Sequence, residues 1–165
     1  MRKQRGFSVI ELLLVVAIIL IIAAIALPNL LRARIAANEA SAASGARTMM
    51  IAQMQYQTSY SSVGYAPSLA ALGGTSCATP TANAACLIDN SIASATILSA
   101  AKDGYLYGAS GNASGFSVGN YPASLGSTGN NSFCAFEDGV LRTDATGANN
   151  SSSCQSLGVP QVLTH

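Results

Sequence analysis

The residues of this chain that could take part in chemistry lie near its start. Arg2, Lys3 and Arg5 form a basic cluster, Gly6 follows it, and Glu11 stands at the beginning of a long apolar run. A glycine leaves the backbone accessible, as a cleavable peptide bond requires. A charged side chain at the centre of a bilayer costs about 2.5–3.5 kcal/mol, and such residues are usually functional. Glu11 lies nearer the edge of the run, where the cost is smaller, but its carboxylate still needs a cation.

The four cysteines are the second set of reactive residues, and all lie in the polar part of the chain, at Cys77, Cys86, Cys134 and Cys154. No Cys-x-x-Cys or Cys-x-x-Cys-His pattern occurs, which argues against a zinc ribbon, a thioredoxin or covalent haem. An even count beyond a membrane segment indicates disulfides formed in an oxidising compartment. Three pairings are open, and we favour the two that close short loops, Cys77–Cys86 and Cys134–Cys154. Each would stabilise the fold by about 2–4 kcal/mol.

The other ionisable residues form no pattern that indicates catalysis. His165 is the single histidine, and there is no GxSxG motif, phosphate-binding loop or Cys–His pair, so no enzyme is predicted. The acidic residues of the polar part follow no EF-hand spacing. We therefore interpret them as solvated turn residues and predict no metal or cofactor, with a calcium site as the lesser alternative. These residues are Asp89, Asp103, Glu137, Asp138 and Asp144.

The charge distribution argues against nucleic acid as a partner. The chain has 8 basic and 7 acidic residues and a net charge of +1. Without Arg2, Lys3 and Arg5 the basic count falls from 8 to 5 against 7 acids, so the polar part is slightly acidic. Nucleic-acid binding requires a basic patch, and we predict no such partner.

The apolar run predicts a helix that crosses a membrane. Within residues 7–31 only Ser8, Glu11 and Asn29 are clearly polar, and apolar residues cover every face. A helix of this length is about 37 Å long, enough to cross a bilayer with some tilt. The basic cluster before it favours a cytoplasmic N-terminus and an exported body. The alternatives are an ordinary signal peptide cut after Ala26 and an uncleaved single-span anchor.

The rest of the chain predicts a continuation of the helix and then a small antiparallel sheet. We expect helix through residues 32–62, with Gly64 and Pro67 as stop signals, and a short helix near residues 87–95. Four aromatic or β-branched runs predict antiparallel strands, with a two-residue Asp138-Gly139 turn in the last hairpin. These runs are residues 105–109, 116–121, 133–137 and 140–143. The predicted fold class is α+β, with the apolar half of the long helix protruding and the other half packed on the sheet.

Residues 3–12 resemble the processing signal of type IV pilins and pseudopilins. In that family a short basic leader ends in Gly, Phe follows, and Glu is the fifth residue of the mature chain. Gly6, Phe7 and Glu11 match this pattern. Pro28 falls at the twenty-second mature position, where such pilins commonly carry proline. The short leader and the Phe at the cut are most similar to the type IVa group.

The resemblance is close over residues 3–40 and holds only in outline after residue 60. It implies a pilin-like fold with four segments. These are a leader at 1–6, an apolar transmembrane and filament-core helix at 7–31, its continuation at 32–62, and a head at 63–165 with a loop, an antiparallel sheet and disulfide loops.

By this resemblance the chain is a structural subunit of a type IV pilus-like filament. Prepilin peptidase would cut between Gly6 and Phe7 and methylate the new amine. An assembly platform with a cytoplasmic motor ATPase would then polymerise the subunit with copies of itself. The precursor would lie in the inner membrane with its N-terminus inside, before it joins an extracellular filament or a periplasmic pseudopilus. The alternatives are a pseudopilin of a type II secretion system and a minor or tip adhesive pilin.

Glu11 and Pro28 are the residues expected to act in assembly, together with Phe7. Lipid tails are about as apolar as a bundle of Leu and Ile, so moving the helix into a filament core gains little hydrophobic free energy. We hypothesise that Glu11 pairs with the Phe7 amine of a neighbouring subunit and sets the axial register. Pro28 deprives the Ala24 carbonyl of its helical donor, which predicts either a kink or a segment that loosens when subunits pack.

Overall fold

The structure, a computed structural model, describes residues 7–75 and 77–145 of the 165-residue chain. Its elements follow one another as helix α1 (Val9–Ser59), helix α2 (Leu69–Leu72), helix α3 (Asn90–Ala93), a 3-10 helix (Leu98–Ala100), and strands β1 (Tyr105–Gly111), β2 (Phe116–Pro122), β3 (Ser132–Phe136) and β4 (Leu141–Asp144). The chain divides into two compact units, Met1–Arg34 and Ile35–His165. The long helix and the small antiparallel sheet confirm the predicted α+β class.

Helix α1 is 51 residues long and is rich in apolar residues and alanine. Its buried positions all belong to the second unit and recur every three or four residues, which places them on one face of the helix. They are Ala42, Gly45, Ala46, Met49, Ala52, Gln53 and Tyr56. The helix ends at Ser59, slightly before the predicted limit, and Gly64 follows with a φ of +90°, a left-handed conformation that favours glycine.

The four strands form one antiparallel sheet in the order β1-β2-β3-β4. Their limits lie close to the predicted ones. The turn between β3 and β4 is longer than predicted. Strand β3 ends at Phe136 and β4 begins at Leu141, so residues 137–140 lie outside the two strands. Within this turn Gly139 has a φ of +73°, and the Asp138 side chain accepts a hydrogen bond from the Val140 N–H at 3.1 Å.

The helix predicted at residues 87–95 is shorter than expected. Helix α3 covers only Asn90–Ala93, and the Asp89 side chain caps it by accepting from the Ser91 N–H at 2.7 Å. The preceding residues are not helical, because their N–H groups serve other partners. Those of Leu87 and Ile88 both donate to the carbonyl of Leu72, at 2.8 and 3.3 Å.

Small residues on α1 allow the sheet to pack closely against it. A Cβ atom added to Gly45 would lie 2.6 Å from a ring carbon of Tyr107, so the tyrosine ring rests on the glycine. The Asn120 side-chain amide donates to the Ala42 carbonyl at 2.6 Å. Tyr107 of β1 and Asn120 of β2 are directly opposite each other in the sheet. The two contacts with α1, at Gly45 and at Ala42, are therefore made by one cross-strand pair.

Candidate processing and assembly site

The first turn of α1 is capped by the side chains of Ser8 and Glu11. The Ser8 N–H donates to Glu11 Oε2 at 3.0 Å, and the Ile10 N–H donates to Ser8 Oγ at 3.4 Å. In this capping-box arrangement each of the two side chains accepts from a backbone donor that the helix leaves unused. The helix begins at Val9, and Phe7 and Ser8 lie before it.

Ser8 has no role in the sequence-based interpretation, although the sequence carries a signal for one. A Ser followed three residues later by Glu, just before an apolar run, is the sequence signature of a capping box. The structure therefore gives Glu11 a role within its own chain, in addition to the predicted contact with a neighbour.

One oxygen of Glu11 remains available for a second interaction. Oε2 accepts from Ser8, and no described residue donates to Oε1. The side chain is exposed and lies at the helix N-terminus, where the helix dipole favours negative charge. The first turn thus holds a carboxylate in a defined position, with one oxygen free to accept from a cation.

The other predicted site residues of the first unit lie in different surroundings. Gly6 is outside the described residues. Phe7 precedes the helix with 75% of its surface exposed. Pro28 lies within α1, which continues through it, and the Asn29 side-chain amide donates to the Ile25 carbonyl at 3.3 Å.

The described part of the first unit exposes its apolar side chains on every side. The exposed fraction of the large ones ranges from 45% at Val16 to 75% at Phe7. By length and composition α1 contains a stretch that is able to cross a membrane. Glu11 is the one acidic residue between Phe7 and Arg34.

The predicted disulfide between Cys77 and Cys86 is present, with the two Cα atoms 5.7 Å apart. Gly74 makes room for it, because a Cβ there would lie 2.6 Å from Cys86 Sγ. Cys134 is also disulfide-bonded. Its predicted partner, Cys154, lies outside the described residues.

Two acidic residues near α3 and β1 have local hydrogen-bond partners. Hydrogen bonds from Ser91 hold the pKa of Asp89 below its usual value. Asp103 Oδ2 accepts from Lys102 Nζ at 2.8 Å and from Ser41 Oγ at 2.6 Å. These two contacts lower the pKa of Asp103, with Lys102 as the larger cause. Both carboxylates therefore serve structural contacts.

The acidic residues near the β3–β4 hairpin differ from one another. Asp138 forms an ion pair with Arg142, and the hydrogen bonds from Arg142 lower the pKa of Asp138 to about 2. Asp144 lies in β4 and is buried, so its prediction as a solvated turn residue is wrong. Among residues 7–75 and 77–145, no three His, Cys, Asp or Glu side chains gather in a group that could hold a metal ion.

Comparisons with known proteins match the N-terminal region. The family model described as the prokaryotic N-terminal methylation motif matches residues 1–27. The type IV wide pilus major component PilA4 of Thermus thermophilus is 59% identical over 39 residues, which are 24% of this chain and 30% of PilA4. The chain thus spans less than a third of the curated relative that it matches. No solved structure matches the chain.

A methylation motif at the start of an exposed apolar helix, followed by a helix-and-sheet head, defines a pilin-like protein. By this motif and by its similarity to a pilus component, the N-terminal region of the chain is similar to that of type IV pilins.

Proposed function

We propose that the chain is a structural subunit of a type IV pilus-like filament, polymerised with copies of itself through the N-terminal part of α1. The observation that carries the proposal is the exposed apolar surface of residues 7–34, interrupted by one carboxylate in the first helical turn. A simple membrane anchor gains nothing from this carboxylate, whose insertion into lipid is unfavourable. A subunit that must find its register among identical apolar helices needs such a polar contact.

The first step of the proposed function is cleavage of the bond between Gly6 and Phe7 by a prepilin peptidase. The Ser8–Glu11 cap begins the helix at Val9, so Phe7, the residue that follows the proposed cut, precedes the helix. The match to the methylation motif supports methylation of the new Phe7 amine. The basic residues before Gly6 support a precursor in the inner membrane with its N-terminus inside.

The second step is selection of the axial register by Glu11. Cleavage removes residues 1–6 but leaves the Ser8 N–H intact, so the hydrogen bond from Ser8 to Oε2 survives processing. The free Oε1 of Glu11 then accepts from the Phe7 amine of a neighbouring subunit. Loss of one partner from a buried ion pair costs about 3–5 kcal/mol, enough to decide between registers that have similar apolar packing.

Extraction of the helix from the membrane requires external work in this proposal. Lipid and a helical bundle are about equally apolar, so the transfer contributes little free energy of its own. An assembly platform and a cytoplasmic motor ATPase would supply that work. The completed filament would be extracellular.

The proposal is tested by one substitution and one mass measurement. Glu11→Ala should leave the membrane precursor intact but remove the subunit from sheared surface filaments. Glu137→Ala, which deletes an exposed carboxylate of the head, is the matched control and should assemble normally. The intact mass of the exported wild-type chain should correspond to a start at Phe7 with one added methyl group. Normal filaments from Glu11→Ala, or an exported chain that starts at Leu27, would contradict the proposal.

A periplasmic pseudopilin is the second candidate function, since the same cleavage and the same Glu11 contact would serve it. The disulfides favour an exposed pilus, because cross-links stabilise a head that lies outside the cell. Abundance in the sheared surface fraction distinguishes the two, and it also separates a major subunit from a minor or tip adhesive one.

A further inference from the structure

The disulfide between Cys77 and Cys86 lies at the surface of the head, whereas the disulfide-bonded Cys134 is buried. Cys77 is exposed and Cys86 is half-buried, but Cys134 is only 1% exposed. A disulfide exchanges with an external thiol only when the thiolate can approach one of its sulfur atoms, so exposed disulfides are the reactive ones. Among these three cysteines, Cys77 therefore offers the most accessible sulfur.

The surroundings of Cys86 make the two sulfur atoms of this disulfide unequal. A Cβ atom added to Gly74 would lie 2.6 Å from Cys86 Sγ, so this sulfur rests directly on the Gly74 backbone. That contact closes one side of Cys86 Sγ to an approaching molecule. Cys77 Sγ is consequently the point at which a thiolate can attack, and Cys86 is the thiolate that leaves.

Backbone hydrogen bonds hold the Cys86 side of the disulfide. The Cys86 N–H donates to the Gly73 carbonyl at 2.8 Å, and the N–H of the next residue donates to the Leu72 carbonyl at 2.8 Å. Cys86 also has a left-handed φ of +56°, which a residue with a side chain keeps only when its surroundings fix it. No residue in the described part of the chain forms a backbone-to-backbone hydrogen bond with residues 77–80. When the disulfide opens, Cys86 should therefore stay in place while Cys77 moves.

The loop between the two cysteines keeps its shape through contacts that do not involve sulfur. Thr81 and Ala84 exchange two backbone hydrogen bonds, at 3.1 and 3.0 Å, and the Tyr56 hydroxyl donates to the Ala82 carbonyl at 2.6 Å. These bonds remain when the disulfide opens, so they keep the two cysteines close enough to pair again. Residues 48–88 contain no charged side chain, so this part of the sequence supplies no carboxylate that would repel a thiolate.

We propose that the Cys77–Cys86 disulfide is a reversible attachment site for small thiols of the cysteine or glutathione type. In the forward step the thiolate attacks Cys77 Sγ, a mixed disulfide forms between the small thiol and Cys77, and Cys86 leaves as a thiolate. In the reverse step the Cys86 thiolate attacks Cys77 Sγ, re-forms the original disulfide and expels the small thiolate. Neither step needs a further oxidant or reductant. This inference does not depend on the proposed function.

Mass spectrometry of the full chain in detergent micelles tests the proposal, with reduced glutathione as the probe. Samples are quenched with N-ethylmaleimide and digested, so that mixed disulfides and free thiols are assigned to individual residues. Early in the incubation of the folded wild type we expect glutathione on Cys77, N-ethylmaleimide on Cys86 and no change at Cys134. The glutathione adduct should disappear when free glutathione is removed by gel filtration before the quench, because the Cys86 thiolate then closes the original disulfide.

Two matched variants, Cys77→Ser and Cys86→Ser, compare the two positions directly, since each leaves one of the two thiols free. Glutathione disulfide is the probe here, because the free thiolate attacks it, forms a mixed disulfide and releases glutathione. Cys77 in the Cys86→Ser chain should react roughly tenfold faster than Cys86 in the Cys77→Ser chain, because it is exposed. Its adduct should also persist after gel filtration, because the thiol that would expel glutathione is missing.

Three results would overturn the proposal. The first is glutathione on Cys86 instead of Cys77 in the wild type. The second is a wild-type chain that takes up glutathione only after it has been unfolded by denaturant. The third is reaction of Cys134 at the same rate as Cys77. If the serine variants lose their fold, which tyrosine near-ultraviolet circular dichroism would show, the measurements on the wild type still decide the question.

Discussion

Glu39 of α1 binds Asn131 with both oxygens of its carboxylate. Oε2 accepts from the Asn131 side-chain amide at 2.8 Å, and Oε1 accepts from the Asn131 N–H at 3.2 Å and from the Asn130 N–H at 2.7 Å. One position earlier, the Asn38 side chain donates to the Thr128 carbonyl at 2.9 Å. Two adjacent polar residues of the helix thus hold the connection between β2 and β3.

The hydrogen bonds of Glu39 to Asn130 and Asn131 are here called the Glu39 clamp, and their removal should destabilise the head. Glu39→Ala leaves three donors of the loop without their acceptor, and we expect a loss of about 1–3 kcal/mol in the free energy of unfolding. Glu39→Gln keeps one acceptor oxygen and should lose less. Thermal unfolding of the full chain in detergent, followed by tyrosine near-ultraviolet circular dichroism, measures both. An Ala variant as stable as the wild type would contradict the role of the clamp.

Replacement of Ser8 should loosen the first turn of α1. Ser8→Ala removes the acceptor for the Ile10 N–H, and loss of an N-cap side chain costs about 0.5–2 kcal/mol of helix stability. Faster amide exchange at residues 9–11 is the expected result. Fewer filaments should follow, because a loosened first turn holds Glu11 less precisely even though the N–H of residue 8 remains. Ser8→Thr retains the acceptor and is the control. Equal exchange and equal filament yield in the two variants would show that the cap has no part in assembly.

An alanine at Gly45 should destabilise the head, although helix propensity alone predicts the opposite. Alanine is more favourable than glycine inside a helix by about 1 kcal/mol. The added Cβ would, however, lie 2.6 Å from the buried ring of Tyr107. Overpacking of this kind costs about 1–3 kcal/mol, so the clash should outweigh the propensity and lower the melting temperature. Ser44→Ala, at an exposed neighbouring position, is the control, and a higher melting temperature for Gly45→Ala would contradict the close contact.

The Asp138–Arg142 pair should contribute to the acid sensitivity of the head. Arg142 lowers the pKa of Asp138 from 3.8 to about 2 in the folded chain. Because the folded value lies below the unfolded one, the stabilisation is present above about pH 3.8 and is lost as the pH falls toward 2. In Asp138→Asn and in Arg142→Gln the melting temperature should therefore decrease less than in the wild type between pH 3.8 and about 2. Arg47→Gln is the control, because Arg47 has no ion pair among the described residues, and an equally steep fall in all variants would refute the prediction.

Much of the fold follows from local patterns that the sequence displays directly. The uninterrupted apolar run of residues 7–31 leaves helix as the natural backbone state, and α1 is helical from Val9. The strands of the sheet were predictable from aromatic and β-branched runs between Gly, Asn and Ser. The Cys77–Cys86 disulfide was predictable because nine positions separate two cysteines in a small polar loop.

Other features depend on partners that are distant in the sequence. Nothing near Glu39 indicates that its carboxylate binds a loop more than ninety positions later. Asp144 was expected in a solvated turn, but it lies in β4 and is buried. The helix predicted at residues 87–95 is shortened because the N–H groups of Leu87 and Ile88 bond to Leu72 instead.

By itself the sequence determined the processing motif, the long apolar helix and the position of Glu11 within it, because each depends on residues that are neighbours along the chain. Tertiary structure alone decided which residues hold the head together: the Glu39 clamp, the contact between Gly45 and Tyr107, and the hydrogen bond from Asn120 to the Ala42 carbonyl. These contacts join positions far apart in sequence, and their strength depends on distance and on exclusion of water, which composition and spacing do not specify.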